Sequence, residues 1–215
     1  MAAEGPVLTV HQLRFGFPGG PHWSLPNHTL EHGMLALTGR SGSGKSTLLA
    51  TLSGLCASLG GEVWVCGARA DIPDVARRLR HTTVAVVPQD ALLFDWLSLR
   101  DNVRLPSRLA GQVRSADAVL DALGLLPVAD RLPRQLSGGE RQRACLARAL
   151  CSGARLILAD EPTAALDRAA AQTAVDLLRT HSQRPGHGAI VASHDPTVIS
   201  VCDDIVDVST LRVGP

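Results

Sequence analysis

A chain that carries Gly39-Arg40-Ser41-Gly42-Ser43-Gly44-Lys45-Ser46-Thr47 has few folds open to it. The run before this stretch, Leu35-Ala36-Leu37-Thr38, reads as a buried strand, and the run after it, Leu48-Leu49-Ala50-Thr51-Leu52, reads as the start of a helix. Between them stands the pattern G-x-x-x-x-G-K-[ST] in full, the loop whose backbone N–H groups cradle a polyphosphate. Gly39, Gly42 and Gly44 permit the backbone angles that turn those N–H groups inward. The helix N-terminus adds unpaired donors and the positive end of its dipole. Lys45 can reach the terminal phosphates, and the Ser46 hydroxyl is placed to ligate Mg²⁺. The fold class is therefore α/β, with a P-loop NTPase core around a mostly parallel sheet.

Composition sharpens the reading. The chain has 21 Lys and Arg residues, and Lys45 is the only lysine. A compact ammonium is kept at the one position where a planar guanidinium would fit a phosphate nest poorly. At 215 residues the chain suits a single domain. A formal net charge of +1 argues against bulk attraction to nucleic acid. With 3% aromatics and no tyrosine, base-stacking platforms are scarce as well. The densest basic spot, Arg77-Arg78-Leu79-Arg80, reads as a solvated helix face. Five cysteines without a C-x-x-C pair point to reduced thiols in a cytosolic compartment. His28 and His32 stand at i, i+4, but Pro26 and polar neighbours argue against a metal site there. Neither a leader-like start nor a run approaching a membrane span is visible.

Along the chain, short strands are expected at 7–10, 13–17 and 61–67, an irregular edge strand in 22–32, a short helical turn from Ile72 to Leu79, and a buried strand at Val84–Val87 leading to Gln89. Ser98 can cap a helix, and 115–126 reads as an amphipathic one. Leu136-Ser137-Gly138-Gly139-Glu140 opens a strong helical stretch over 141–150, with Ser137 placed as N-cap and Glu140 in the first turn. The run Arg155 to Pro162 is a buried strand ending in Asp160 and Glu161. Gly188 to Ser193 is a further parallel strand, with His194 at the C-terminal end where ligands of open α/β sheets gather. The last strand falls at 205–208.

These marks, in this order, resemble the ATP-binding subunit of an ABC (ATP-binding cassette) transporter, and the resemblance covers nearly the whole chain. A P-loop is shared by many NTPases; Leu-Ser-Gly-Gly between it and an Asp-Glu strand is far more specific. The resemblance implies a single ABC ATPase domain over 1–215, with core and small antiparallel β lobe in about 1–88 and 155–215, and a helical signature subdomain in about 89–154. It implies ATP as substrate and Mg²⁺ as cofactor. Phe17 would stack on the adenine, with Arg40, Ser41, Ser43 and Thr47 completing the glycine loop around the phosphates. Ser46 and Gln89 would hold Mg²⁺, with Asp160 reaching it through water. Glu161 would be the general base and His194 a γ-phosphate ligand. Ser137, Gly138, Gly139 and Glu140 would meet the nucleotide of a facing subunit, and Asp167 would lie at the seam.

The implied partners are a second cassette, separate transmembrane permease subunits, and a solute-binding protein, with the cassette peripheral on the cytoplasmic face of the membrane and no nucleic acid involved. Residues 130–135 and 89–98 resemble importer forms, the latter including Phe94, Trp96 and Leu97, which would seat a permease helix. Import is therefore the expected direction. Departures are Phe17 for tyrosine, Ala164 for serine and Glu140 for glutamine. Only 21 residues follow His194 (215 minus 194), leaving no room for the regulatory domain that some importers carry. The rival is a non-transport ABC ATPase of DNA repair or scaffold type. Such relatives often carry a long coiled coil between Gln89 and Ser137, where this chain has 47 residues (137 minus 89 minus 1). A P-loop kinase or GTPase has no use for the Ser-Gly-Gly helix start.

Overall fold

The computed structural model describes residues 5–112 and 115–213. In chain order the strands and helices are β1 (Leu8–Gly16), β2 (His22–Leu25), β3 (His28–Leu30), β4 (Gly33–Thr38), α1 (Lys45–Leu52), β5 (Gly60–Val65), β6 (Ala68–Arg69), α2 (Pro73–Thr82), β7 (Val84–Val87), α3 (Leu99–Leu109), α4 (Asp117–Ala122), α5 (Gly138–Cys151), β8 (Leu156–Asp160), α6 (Arg168–Ser182), β9 (Gly188–Ala192), α7 (Pro196–Ile199), β10 (Asp204–Asp207) and β11 (Arg212–Val213). The near-continuous apolar runs become the middle of one all-parallel sheet, in the order β10-β4-β9-β8-β7. Burial on both faces is why these runs do not alternate with polar residues. The alternating strands form a second, antiparallel sheet, β11-β2-β1-β5-β6, with β3 also paired to β1.

Each face of the parallel sheet closes a core of its own. Met34, Ile157, Ala159 and Val191 pack with α3, α4, α5 and α6. Leu35, Leu37, Leu158 and Ile190 pack with α1 and the antiparallel sheet. The split follows from side chains on a strand pointing alternately to opposite faces. Burying each of these leucines contributes about 2 kcal/mol.

Several local expectations change. Residues 22–32 form two short strands, β2 and β3, registered on β1 through pairs such as Phe15↔Trp23 and Thr9↔Thr29. The helical turn expected at 72–79 is a ten-residue helix, α2, with Pro73 in its first turn. Its Arg80 does not sit on a solvated face: Nη1 donates to the Ser53 and Gly54 carbonyls, both at 2.9 Å, closing the C-terminal end of α1. That end comes at Leu52 because Gly54 turns to φ +66, where an added Cβ would lie 2.3 Å from that of Ala76. α4 is only six residues long, since Gly124 leaves the helix at φ +66. α5 starts at Gly138 directly after its expected N-cap, Ser137, with Glu140 in its first turn.

His181 marks the sheet end remote from Asp160. It is 5% exposed, with its ring 5.1 Å from that of His187, and its Nε2 has no partner among the described residues. Burial, reinforced by the neighbouring His187, pushes its pKa down from 6.5 to about 4, against a hydrogen bond with the Arg155 backbone. A folded-state pKa below the unfolded one means that the unfolded chain takes up the proton first. The contribution of neutral His181 is whole above pH 6.5 and is lost as pH falls toward 4. Its full size is on the order of 3 kcal/mol. Thermal unfolding measured from pH 7.5 down to 4.5 is expected to fall less steeply for His181→Gln than for the wild type; equal slopes would contradict this.

Candidate functional site

The loop between β4 and α1 is built from glycines that a side chain would not permit. Gly39 sits at φ +130 with Ser43 Oγ 2.8 Å from where its Cβ would be, and Gly44 sits at φ +97 against the ring of Trp23. Gly44 also starts α1 with no side-chain cap, so the first N–H groups of that helix face the cavity unclaimed. Lys45 Nζ donates to the Gly39 carbonyl at 2.7 Å and the Arg40 carbonyl at 3.4 Å, bending back over the loop. The Ser43 hydroxyl is buried without a partner among the described residues.

The C-terminal ends of the parallel strands supply the rest. β7 leads through Pro88 to Gln89, β8 ends on Asp160, and β9 leads through Ser193 to His194. Glu161 turns into the left-handed region at φ +45, costly for a residue with a Cβ, and its N–H donates to the Ala192 carbonyl at 2.8 Å. That turn lifts the side chain off the strand and leaves its Oε1 2.9 Å from His194 Nδ1. The glutamate side chain is 12% exposed and the imidazole 77%. The hydrogen bond to Glu161, followed by its charge, holds the His194 pKa above the ordinary histidine value.

One cavity of about 680 Å³ takes in Phe17, the whole loop from Gly39 to Thr47, Gln89, Asp160, Glu161 and His194. Such a volume lies in the range of ordinary ligand sites. The sequence reading missed Pro21 and Trp23, which also line it, together with Ala164, noted there only as a departure from serine. Trp23 carried a usable signal: a bulky aromatic in a polar, poorly patterned segment just ahead of the loop. The oxygen donors gathered here, the Ser46 hydroxyl, the Gln89 amide and the Asp160 carboxylate, suit a hard cation such as Mg²⁺ held jointly with phosphate oxygens.

The Ser137 stretch stands apart, for none of Ser137, Gly138, Gly139 and Glu140 lines that cavity. Ser137 Oγ accepts from the Glu140 N–H at 3.2 Å, and Glu140 Oε2 accepts from the Ser137 N–H at 2.6 Å, a reciprocal cap. The bond from the Ser137 N–H, helped by the Ser137 hydroxyl, holds the Glu140 carboxyl below the usual carboxylate range. Ser137 and Gly138 are exposed. Gly139 abuts the turn before α6, since a Cβ there would lie 3.0 Å from the Ala165 carbonyl. At the end of that turn Asp167 caps α6, accepting from the Ala170 N–H at 2.9 Å.

A glycine loop between strand and helix, acids at the end of the neighbouring strand and a second, outward-facing glycine helix start define a P-loop ATPase of the cassette type. The ABC transporter family profile matches residues 27–164. The chain belongs to the ABC transporter family. It is 42% identical over 215 residues to the uncharacterised ABC transporter ATP-binding protein YbbA of Escherichia coli K12, covering 94% of each chain. It is 37% identical over 219 residues to the macrolide export ATP-binding/permease protein MacB of Psychrobacter cryohalolentis, with 96% of this chain matched. The chain spans 33% of that relative's length. Among solved structures it is similar to the ATP-binding cassette MJ0796 in a dimeric post-hydrolysis state bound to ADP and Pi, with a TM-score of 0.81 at 27% identity over 94% of this chain and 95% of that one. Among the described residues, no helix is long and apolar enough to cross a membrane.

Proposed function

We propose that two copies of this cassette, or one copy and a related chain, close head to tail around two Mg-ATP and drive a membrane permease carried on a separate chain. The observation that carries this reading is the division of the site. One cavity holds loop, lysine, acids and histidine, while the Ser137 helix start, an anion site by its geometry, lies outside it. The natural occupant of that helix start is the γ-phosphate held by a facing subunit, with Asp167 at the seam. The dimer reported for MJ0796 supports the arrangement.

Within one half, Phe17 stacks on adenine, and Lys45 with the loop N–H groups neutralises the terminal phosphates. Ser46, Gln89 and Asp160 would hold Mg²⁺, which would supply charge neutralisation for phosphoryl transfer. Glu161 orients and deprotonates the attacking water through the oxygen not given to His194, and the imidazole, favoured in its protonated form, faces the γ-phosphate.

The permease docks on a groove of about 570 Å³ between α2, α3 and α5, lined by Leu55, Val84, Phe94, Leu105 and Leu109 among others. Trp96 stands 75% exposed beside it, its ring 5.3 Å from that of Phe94. An exposed aromatic pair next to an apolar groove is what an interface anchor needs. This docking places the subunit on the cytoplasmic face of the membrane. The importer-like loops favour inward transport, but the export named for MacB, matched over nearly this whole chain, weighs more. We read the direction as outward, which removes the need for a solute-binding protein. Trp96→Ser with Leu109→Ser is expected to leave the ATPase of the isolated chain unchanged and to abolish its stimulation by the permease in vesicles. Stimulation at wild-type level would overturn the docking assignment, and ATP-driven accumulation of cargo on the cassette's own side would overturn the direction.

A further inference from the structure

A second cavity, of about 770 Å³, adjoins the nucleotide cavity and shares Phe17 and Pro21 with it. Arg14, His22, Leu59 and Arg212 supply most of its remaining wall. In β1 and β2 the buried side chains include Leu13, Phe15 and Trp23, so their neighbours Arg14 and His22 point to the opposite face of the sheet. Arg212 comes from β11, the edge strand beside β2. Arg14 pairs with Gly60 of β5, where an added Cβ would lie 2.6 Å from Nη2 and 2.9 Å from Nε. The glycine leaves room for the guanidinium against the strand. Among the described residues neither Arg14 nor Arg212 has an ion pair or a side-chain hydrogen bond, whereas Arg69 and Arg100 are tied to carboxylates and Arg80 to carbonyls. No Asp or Glu lines the cavity. His22 Nδ1 lies 3.5 Å from the Gly20 carbonyl, which leaves Nε2 for another partner. Two guanidinium groups without a counter-charge in one concave site suit a dianion, and their planar forks match phosphate oxygens. Phe17, 56% exposed, and Leu59 add an apolar wall for an organic group.

We propose that this cavity binds a phosphomonoester, its phosphate held by Arg14, Arg212 and His22 and its organic part set against Phe17 and Leu59. The turn between β1 and β2 carries Phe17 and is held by two backbone bonds, from the Phe17 N–H to the Pro21 carbonyl at 3.3 Å and from the Gly20 N–H to the Phe17 carbonyl at 3.0 Å. An occupant fixes that turn before ATP arrives, so ATP binds more tightly when the second cavity is filled. This coupling, though not the phosphate site, rests on the reading of the neighbouring cavity as the ATP site.

Phenyl phosphate and inorganic phosphate, titrated by calorimetry into protein whose glycine loop is filled with magnesium and a non-hydrolysable ATP analogue, are each expected to bind once per chain, the phenyl ester more tightly. Arg14→Gln with Arg212→Gln should weaken both at least about tenfold, the loss of one or more charged hydrogen bonds. Arg77→Gln with Arg78→Gln, exposed on α2, removes the same charge and should change nothing. In wild-type protein phosphate should also shift the His22 ring signals, assigned with His22→Asn, a readout that does not require the double variant to fold. Vesicles of phosphatidylcholine with and without phosphatidic acid separate the two sources of such a group. Binding confined to the phosphatidic acid vesicles, and lost with both arginines, assigns it to a lipid headgroup; binding of free phenyl phosphate assigns a soluble ester. Saturating phenyl phosphate is expected to lower the Kd for ATP roughly fivefold, the lower end of coupling between sites. Phosphate binding that survives the double substitution overturns the proposal, as does the absence of binding by both phosphates and vesicles. An ATP affinity that stays put overturns the coupling. If ATP itself failed to bind while the arginine-dependent site titrated normally, the reading of the neighbouring cavity would fall instead.

Discussion

Replacing Glu161 by glutamine is expected to lower steady-state ATP hydrolysis by at least about a hundredfold, the lower end of what a positioned general base contributes. The amide keeps the shape of the carboxylate, so the left-handed turn at φ +45 and the hydrogen bond to the Ala192 carbonyl remain. What is lost is the capacity to take a proton from water. Because binding and closure do not use that capacity, the variant should accumulate as an ATP-bound dimer, seen as a nucleotide-dependent doubling of mass in solution. His194 is touched only indirectly: its 2.9 Å contact with Glu161 becomes a hydrogen bond to an amide, and the charge that raises its pKa disappears. Hydrolysis by the variant within a few fold of wild type would reassign the base.

Removing the single ammonium of the chain, Lys45→Ala, is expected to weaken ATP binding by roughly tenfold to a hundredfold, the range of one or two charge-assisted hydrogen bonds in a shielded site. Hydrolysis should fall further, because the charge on the transferred phosphoryl group loses its partner. Arginine is expected to fail nearly as completely. The nest that Lys45 Nζ reaches, at 2.7 Å from the Gly39 carbonyl, is shaped for a point charge rather than a planar fork. Titration calorimetry with ATP measures both variants, and wild-type affinity in either would mean that the loop binds phosphate through its backbone alone. The composition of the chain offers an independent check. With no other lysine side chain present, amine-reactive labelling reports on Lys45 and the terminal amine only, and Mg-ATP should protect the former.

How much of this was legible beforehand depends on how local the signal is. The glycine loop, the strand ending in Asp160 and Glu161, and the Ser137 cap are written in consecutive residues, so the chain could be read for them directly. The convergence of the first two was legible too, because parallel strands with apolar runs must place their C-terminal ends together. The β lobe was not. β2 and β3 are four and three residues long and carry histidines, serine and threonine, so only their pairing to β1 reveals them as strands. The length of α2 was underread because its face is mostly arginine. The role of Arg80 is set by the carbonyls of Ser53 and Gly54, more than twenty residues earlier. Trp23 shows the same limit at the site, since its proximity to Gly44 follows from β1–β2 register and not from any motif.

The claim beneath all of this is that one polypeptide carries two halves of different ATP sites. A structure of the Glu161→Gln protein with Mg-ATP tests it most directly. It is expected to show a two-fold dimer in which Ser137 and the first N–H groups of α5 lie within hydrogen-bond distance of the γ-phosphate bound by Lys45 of the other subunit. A single protomer fully enclosing its nucleotide, with Ser137 in solvent or turned to its own ATP, would contradict it.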